Sequence, residues 1–169
     1  MPRVAGLNLV AVIVATIVFY AVGMVIYGFT LSELWGNEML KNHGLADPGG
    51  ATLSGAELMT RLGEIPGAMT EGMAYGLGFV ISLVTVIGIA FVLRMAKPAS
   101  LLAAMGTAFV LWLCFIATGL SYNVIYSSES TTIYLIDLMH TLIAFLLSSA
   151  VLFLMDGKVL SGVGQPATA

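Results

Sequence analysis

Charge is what this chain has least of. Six Lys or Arg and nine Asp or Glu occur in 169 residues, and charged residues make up 9% against about 25% in a globular chain. A water-soluble domain of this length has too much surface for so few charges to cover. Cysteine is scarcer still: Cys114 stands alone, which excludes an internal disulfide framework and any cysteine-rich zinc or iron–sulfur site. With two histidines, His43 and His140, a three-His zinc site lacks a ligand, and a bis-His haem site would need the unusual pairing of a loop residue with one inside the fourth span. Six basic residues leave no electrostatic footprint for nucleic acid. Polar, charged low-complexity stretches are missing too, so disorder is not the explanation.

What fills the chain is apolar. Hydrophobic residues reach 59% against about 45–50% normally, and mean hydropathy is +1.02. Four runs are long enough to cross a bilayer, which takes about 20 residues of helix. They span about 7–29, 72–93, 100–120 and 132–155. Each is apolar on successive as well as alternate residues, so β-barrel patterning is absent. The expected fold is all-α: one integral membrane domain, a bundle of four transmembrane helices.

The first run resembles a signal peptide in its weak basic start, Arg3, and in its small residues Ala21, Val22 and Gly23. It continues six residues past them, beyond an ordinary signal core of about 7–15 residues, and reads as a retained span. Orientation follows the basic residues. Arg3, Arg94, Lys97 and Lys158 fall on one side, and Lys41 and Arg61 on the other. That other side also collects Glu33, Glu38, Asp47, Glu57, Glu64, Glu71 and Glu129. Both termini are expected in the cytoplasm, with the loop 30–71 on the opposite side of the membrane. Within that loop, Asp47-Pro48-Gly49-Gly50 is a turn signal. Ser54 and Glu57 stand at capping-box spacing ahead of Leu58, Met59, Leu62 and Ile65. This predicts a short interfacial helix from about Ser54 to Ile65, broken by Gly63, Pro66 and Gly67.

Two intramembrane ionisable residues stand out. Asp137 and His140 are three apart and share a helix face, within a seam of Tyr134, Asp137, Thr141, Ala144 and Ser148 down the fourth span. Such residues are costly in lipid and face the protein interior. A hydrogen-bonded seam joining helices and a proton or solute pathway are both compatible with the pattern. A second group closes the first span at the outer face: Tyr27, Gly28, Phe29, Glu33 and Trp35. Its aromatic residues also suit an interfacial belt, and Glu33 is in sequence range to pair with His140 or sit beside Asp137. Asn123 and Tyr122 are expected to cap the outer end of the third span. Gly72 and Gly76 form a GxxxG that would admit a partner helix closely. The ten methionines are scattered and read as packing filler, not as a metal relay.

The residues also resemble a family. Leu7-Asn8-Leu9-Val10-Ala11-Val12-Ile13-Val14-Ala15, then Gly23, Tyr27-Gly28 and Trp35, carry the first half of the likeness. Trp112, Phe115, Thr118, Asn123, Glu129, Ile136-Asp137 and His140 carry the second. Together they look like the bacterial membrane family catalogued as domain of unknown function 1761. Leu9 and Ile26 depart from it by standing where tryptophan would be expected, and residues 41–67 look particular to this chain. The resemblance implies a small four-helix membrane protein and brings no activity with it.

The functional expectation is therefore a non-enzymatic membrane protein acting by association, either with itself or as an accessory subunit of a larger complex. No cofactor or metal is expected. Lipids and other membrane proteins are the expected partners, and any small-molecule substrate stays open. A different class, a small transporter or proton-coupled permease, would be built on Asp137 and His140. A membrane enzyme acting on lipid or quinone has the fewest residues behind it.

Overall fold

The computed structural model describes residues 3–160; the side chains of Glu71 and of residues 156–160, Lys158 among them, lie outside the described set. A two-residue antiparallel hairpin opens it, β1 (Arg3–Val4) with β2 (Leu7–Asn8). Its turn uses positive φ at Ala5 and Gly6, and the Arg94 guanidinium donates to the Ala5 carbonyl. Helix α1 (Leu9–Gly23) starts at Asn8, whose side-chain oxygen accepts from the amides of Val10 at 3.2 Å and Ala11 at 3.4 Å. The polar residue at the head of the first span is thus an N-cap, satisfying amides that lipid cannot.

Four long helices result, as the apolar runs require. The first continues from α1 through a π-helical segment, Met24–Thr30. The second is α4 (Glu71–Ala96). The third joins α5 (Leu101–Leu111), a second π segment (Trp112–Ala117) and α6 (Thr118–Ser127). The fourth is α7 (Thr131–Leu160). The stretches Leu9–Thr30, Gly72–Ala96, Leu101–Ser127 and Thr131–Met155 are each long and apolar enough to cross a membrane. The third runs seven residues beyond its expected end at Leu120. Tyr122, Asn123 and Tyr126 do not stop it, and Ser128 ends it in a left-handed conformation at φ 55°.

Helix α7 is the hub and packs on α1, α5 and α4, while α4 packs chiefly on α1. The closest approaches fall on small residues. Ala11, Ala15, Ala104, Ala108 and Ala144 are all buried to 1% or less, which brings backbones together without side chains between them. Ser148, also fully buried, donates across this seam to the Ala15 carbonyl at 3.1 Å. Val86, Ile89, Ala90 and Leu93 bury the terminus-side half of α4.

Between spans one and two the chain forms an ordered cap. It contains the expected helix, α3 (Gly55–Leu62), and a second one, α2 (Ser32–Asn42). Leu40, Leu53 and Leu58 form its small core, with Leu45, Leu62 and Ile65 around them. Gly36 is where α2 and α3 cross: a Cβ there would stand 2.9 Å from Leu58 Cδ2. The capping box does not form. Ser54 is extended at φ −141° and its hydroxyl makes no cap bond. Gly55 enters the helix at φ +55°, an approach that serine at the cap position does not complete. The helix also stops at Leu62, short of Ile65, where Gly63 and Glu64 close turns onto Met59 and Arg61.

Candidate functional site

Where span one meets span four, toward the cap, polar side chains converge. The Tyr27 hydroxyl donates to Asp137 Oδ1 at 2.5 Å and lies 3.2 Å from His140 Nδ1. Its one proton is committed to the carboxylate, so the tautomer that completes the network has His140 Nδ1–H donating to the Tyr27 oxygen. The rings support the same arrangement. His140 stands edge-on to Tyr27 at 5.0 Å and to Phe19 at 6.3 Å, and Trp35 stands edge-on to the other side of Tyr27 at 5.5 Å. Gly23 makes room for the imidazole: a Cβ there would lie 3.1 Å from His140 Nε2.

A second set of bonds brings in span three. Trp112 Nε1 donates to Thr141 Oγ1 at 2.9 Å, and that hydroxyl donates to the Asp137 carbonyl at 2.7 Å. About two turns toward the cap from Thr141, the Ser121 and Tyr134 hydroxyls pair at 2.9 Å. Tyr27 lies within one π segment and Trp112 opens the other. A π turn adds a residue to the helical repeat and re-aims the side chains around it, and such turns are frequent at functional sites. Here both re-aimed aromatic residues end on α7. Three spans are thereby cross-linked through one face of one helix.

The cap closes over this cluster. Asn37 on α2 donates to the Leu53 carbonyl at 2.8 Å and accepts from the Leu53 amide at 2.9 Å. It holds the segment ahead of α3 as a neighbouring strand would. Glu38 reaches the start of α7, where Ser130 donates to it at 2.8 Å, and Lys41 pairs with it at 2.6 Å. The Lys41 ammonium and then the Ser130 hydroxyl hold the Glu38 carboxyl below its usual value.

The structure places the five polar residues singled out on the fourth span as follows. Tyr134, Asp137, His140, Thr141 and Ser148 all bond to groups on other spans or their own helix. Of the outer-face group, Tyr27 and Trp35 join it. Glu33 is exposed and pairs with neither Asp137 nor His140. The Asn123 side chain is exposed, and its contribution is a backbone carbonyl that accepts from the Ser128 and Glu129 amides. Nothing lies within 4 Å of where a Cβ on Gly72 or Gly76 would stand, so no helix among the described residues packs closely on this pair. Sequence reasoning missed Trp112 and Asn37 as site residues. A tryptophan deep in an apolar span needs an acceptor for its N–H, and that was the available signal for the first; Asn37 offered none. Among the described residues there is no group of three or more His, Cys, Asp or Glu able to hold a metal.

The family described as Protein of unknown function (DUF1761) matches residues 10–153, from the first turn of α1 to the last described turns of α7. The chain belongs to it. In this DUF1761 protein the match takes in all four spans, the cap and every residue of the cluster. No curated protein and no solved structure matches the chain. The fold and family together make it a multi-pass integral membrane protein.

Proposed function

We propose that this protein is a non-enzymatic component of a bacterial inner membrane that acts by helix–helix association, as a homo-oligomer or as a small accessory subunit. Both termini lie in the cytoplasm and the cap in the periplasm. The reading rests on the cap-side half of α4. Gly72 through Leu77 and Phe79 through Ile81 are exposed, although one face of the other half of the same helix is buried at Val86, Ile89, Ala90 and Leu93. Open space stands beside Gly72 and Gly76, one turn apart on the same face. Two helices in lipid gain from van der Waals contact when such residues let their backbones approach, and lipid gives no hydrophobic force to substitute for it. Met73, Tyr75, Leu77 and Val80 supply the apolar flanks.

The measurement is the protein mass of the particle extracted in mild detergent. A particle larger than one chain, reduced by Gly76→Ile, is the expected result. A single unaccompanied chain in both forms would refute it. One observation favours a second reading, a small proton-coupled permease: the continuous chain from His140 through Tyr27 to Asp137. Dissipation of a pH gradient by purified protein in liposomes, lost in Asp137→Asn, would support that reading.

A further inference from the structure

Asp137 is placed in a membrane span with one side-chain hydrogen-bond donor and no ion-paired cation among the described residues. Tyr27 satisfies Oδ1, while among the described residues no side chain bonds Oδ2 and no base forms an ion pair with the carboxylate. The surrounding titratable groups do not supply the missing charge. From span one comes Tyr27, and from α7 itself come His140 and Tyr134. The cap's Lys41 is taken by Glu38, and Glu129, whose charge also bears on Asp137, is another acid. Spans two and three bring no base to the cluster: Arg94 is engaged at the far end of α4, and the contact from span three is Trp112. A carboxylate removed from water requires a counter-charge.

We propose that Tyr27, Asp137 and His140 form a binding station for one exchangeable proton, entered from the cap side. Asp137 lies six residues from the start of α7, about 9 Å along the axis. His140 is a turn deeper, and beyond it Phe19 packs against Phe145 at 5.9 Å, with Ala144 fully buried. The station is thus closed toward the termini. The proton balance is complete within the three residues. In the anionic form His140 Nδ1–H donates to Tyr27, and the Tyr27 O–H donates to the carboxylate. A proton added at Asp137 Oδ2 neutralises the unit. A neutral unit of the other tautomer forms if the proton arrives at His140 Nε2, the Nδ1 proton passes to Tyr27 and the Tyr27 proton passes to Asp137 Oδ1: His140 then carries its proton on Nε2, and both hydrogen bonds reverse direction. No oxidant or second ligand is involved.

This rests on the permease reading and deepens it by assigning the coupled proton to a three-residue unit in which Tyr27 bridges Asp137 and His140. Equilibrium uptake tests the station and vesicle flux tests transport, so either can fail alone. Infrared difference spectra of the purified protein in liposomes, titrated between about pH 5 and about pH 10, should show a protonated-carboxyl C=O band that disappears as pH rises. That band should be lost in Asp137→Asn, and the pH of its disappearance should move in Tyr27→Phe and His140→Gln. Titration with an indicator dye should count one proton fewer for Asp137→Asn. If Asp137→Asn loses its helical amide signal, the other two variants decide. A band unmoved by either, or one that responds to sodium and not to pH, overturns the proposal.

Discussion

Replacing Asn37 by alanine should release the cap while leaving the four spans in place. Its side-chain amide makes both of the bonds that hold Leu53, and Leu53 is itself 6% exposed, in the small core with Leu40 and Leu58. Asn37 Nδ2 also donates to the Glu33 carbonyl at 2.7 Å, which fixes the amide's orientation. Each of the two bonds to Leu53 contributes about 0.5–1.5 kcal/mol net, so their loss costs about 1–3 kcal/mol. The Glu33 bond adds little, because a helical carbonyl there keeps its backbone partner. A local opening equilibrium shifted by that amount speeds amide exchange about 5- to 150-fold. Hydrogen–deuterium exchange of peptides covering 45–65, compared with peptides from α7, measures it. Exchange at Leu53 changed less than about twofold would refute the argument, as would equal acceleration in α7.

Three further outcomes follow from the same geometry. Trp112→Phe keeps most of the ring and removes the N–H bond to Thr141, so thermal unfolding in detergent should report a loss of about 0.5–1.5 kcal/mol; an unchanged midpoint would contradict the bond. Glu38 has a lowered carboxyl value in the folded chain, so its contribution is present above the ordinary carboxylate range and disappears as pH falls through the lowered value. Cap protection in exchange experiments should therefore decline below about pH 4, and Glu38→Gln should flatten that decline. For topology, a cysteine at Ala46, with Cys114→Ser, should label with an impermeant reagent in intact spheroplasts; protection there with labelling at Ala99 would reverse the orientation.

Much of the fold was legible because lipid imposes one dominant requirement, a long apolar run, and the runs are unbroken. That Asp137 and His140 turn toward protein was legible for the complementary reason: ionisable groups in such a run face protein and not lipid. The two π segments were not legible. Nothing in Met24–Thr30 or Trp112–Ala117 breaks helical propensity, and the extra residue per turn is chosen by the bonds from Tyr27 and Trp112 to α7. Helix α2 was missed because its apolar residues are few and its polar ones look like loop. Glu33 in its first turn, Lys41 in its last and the Glu38–Lys41 spacing were the local signals, consistent with the helix dipole. Asn8 read as an interruption of the first span and is its cap. The Ser54–Glu57 pattern failed for the opposite reason, since a capping box needs a backbone entry that Gly55 does not provide.

The central claim is that the cap-side half of α4 meets another helix through Gly72 and Gly76. Disulfide crosslinking in native membranes tests it most directly, with a cysteine at Gly76 in a Cys114→Ser background and a control cysteine at Ile87, on the packed half of the same helix. Backbones at small-residue distance predict a dimer or a disulfide-linked partner band from position 76 and none from position 87. Equal crosslinking from both positions, or from neither, would contradict the account.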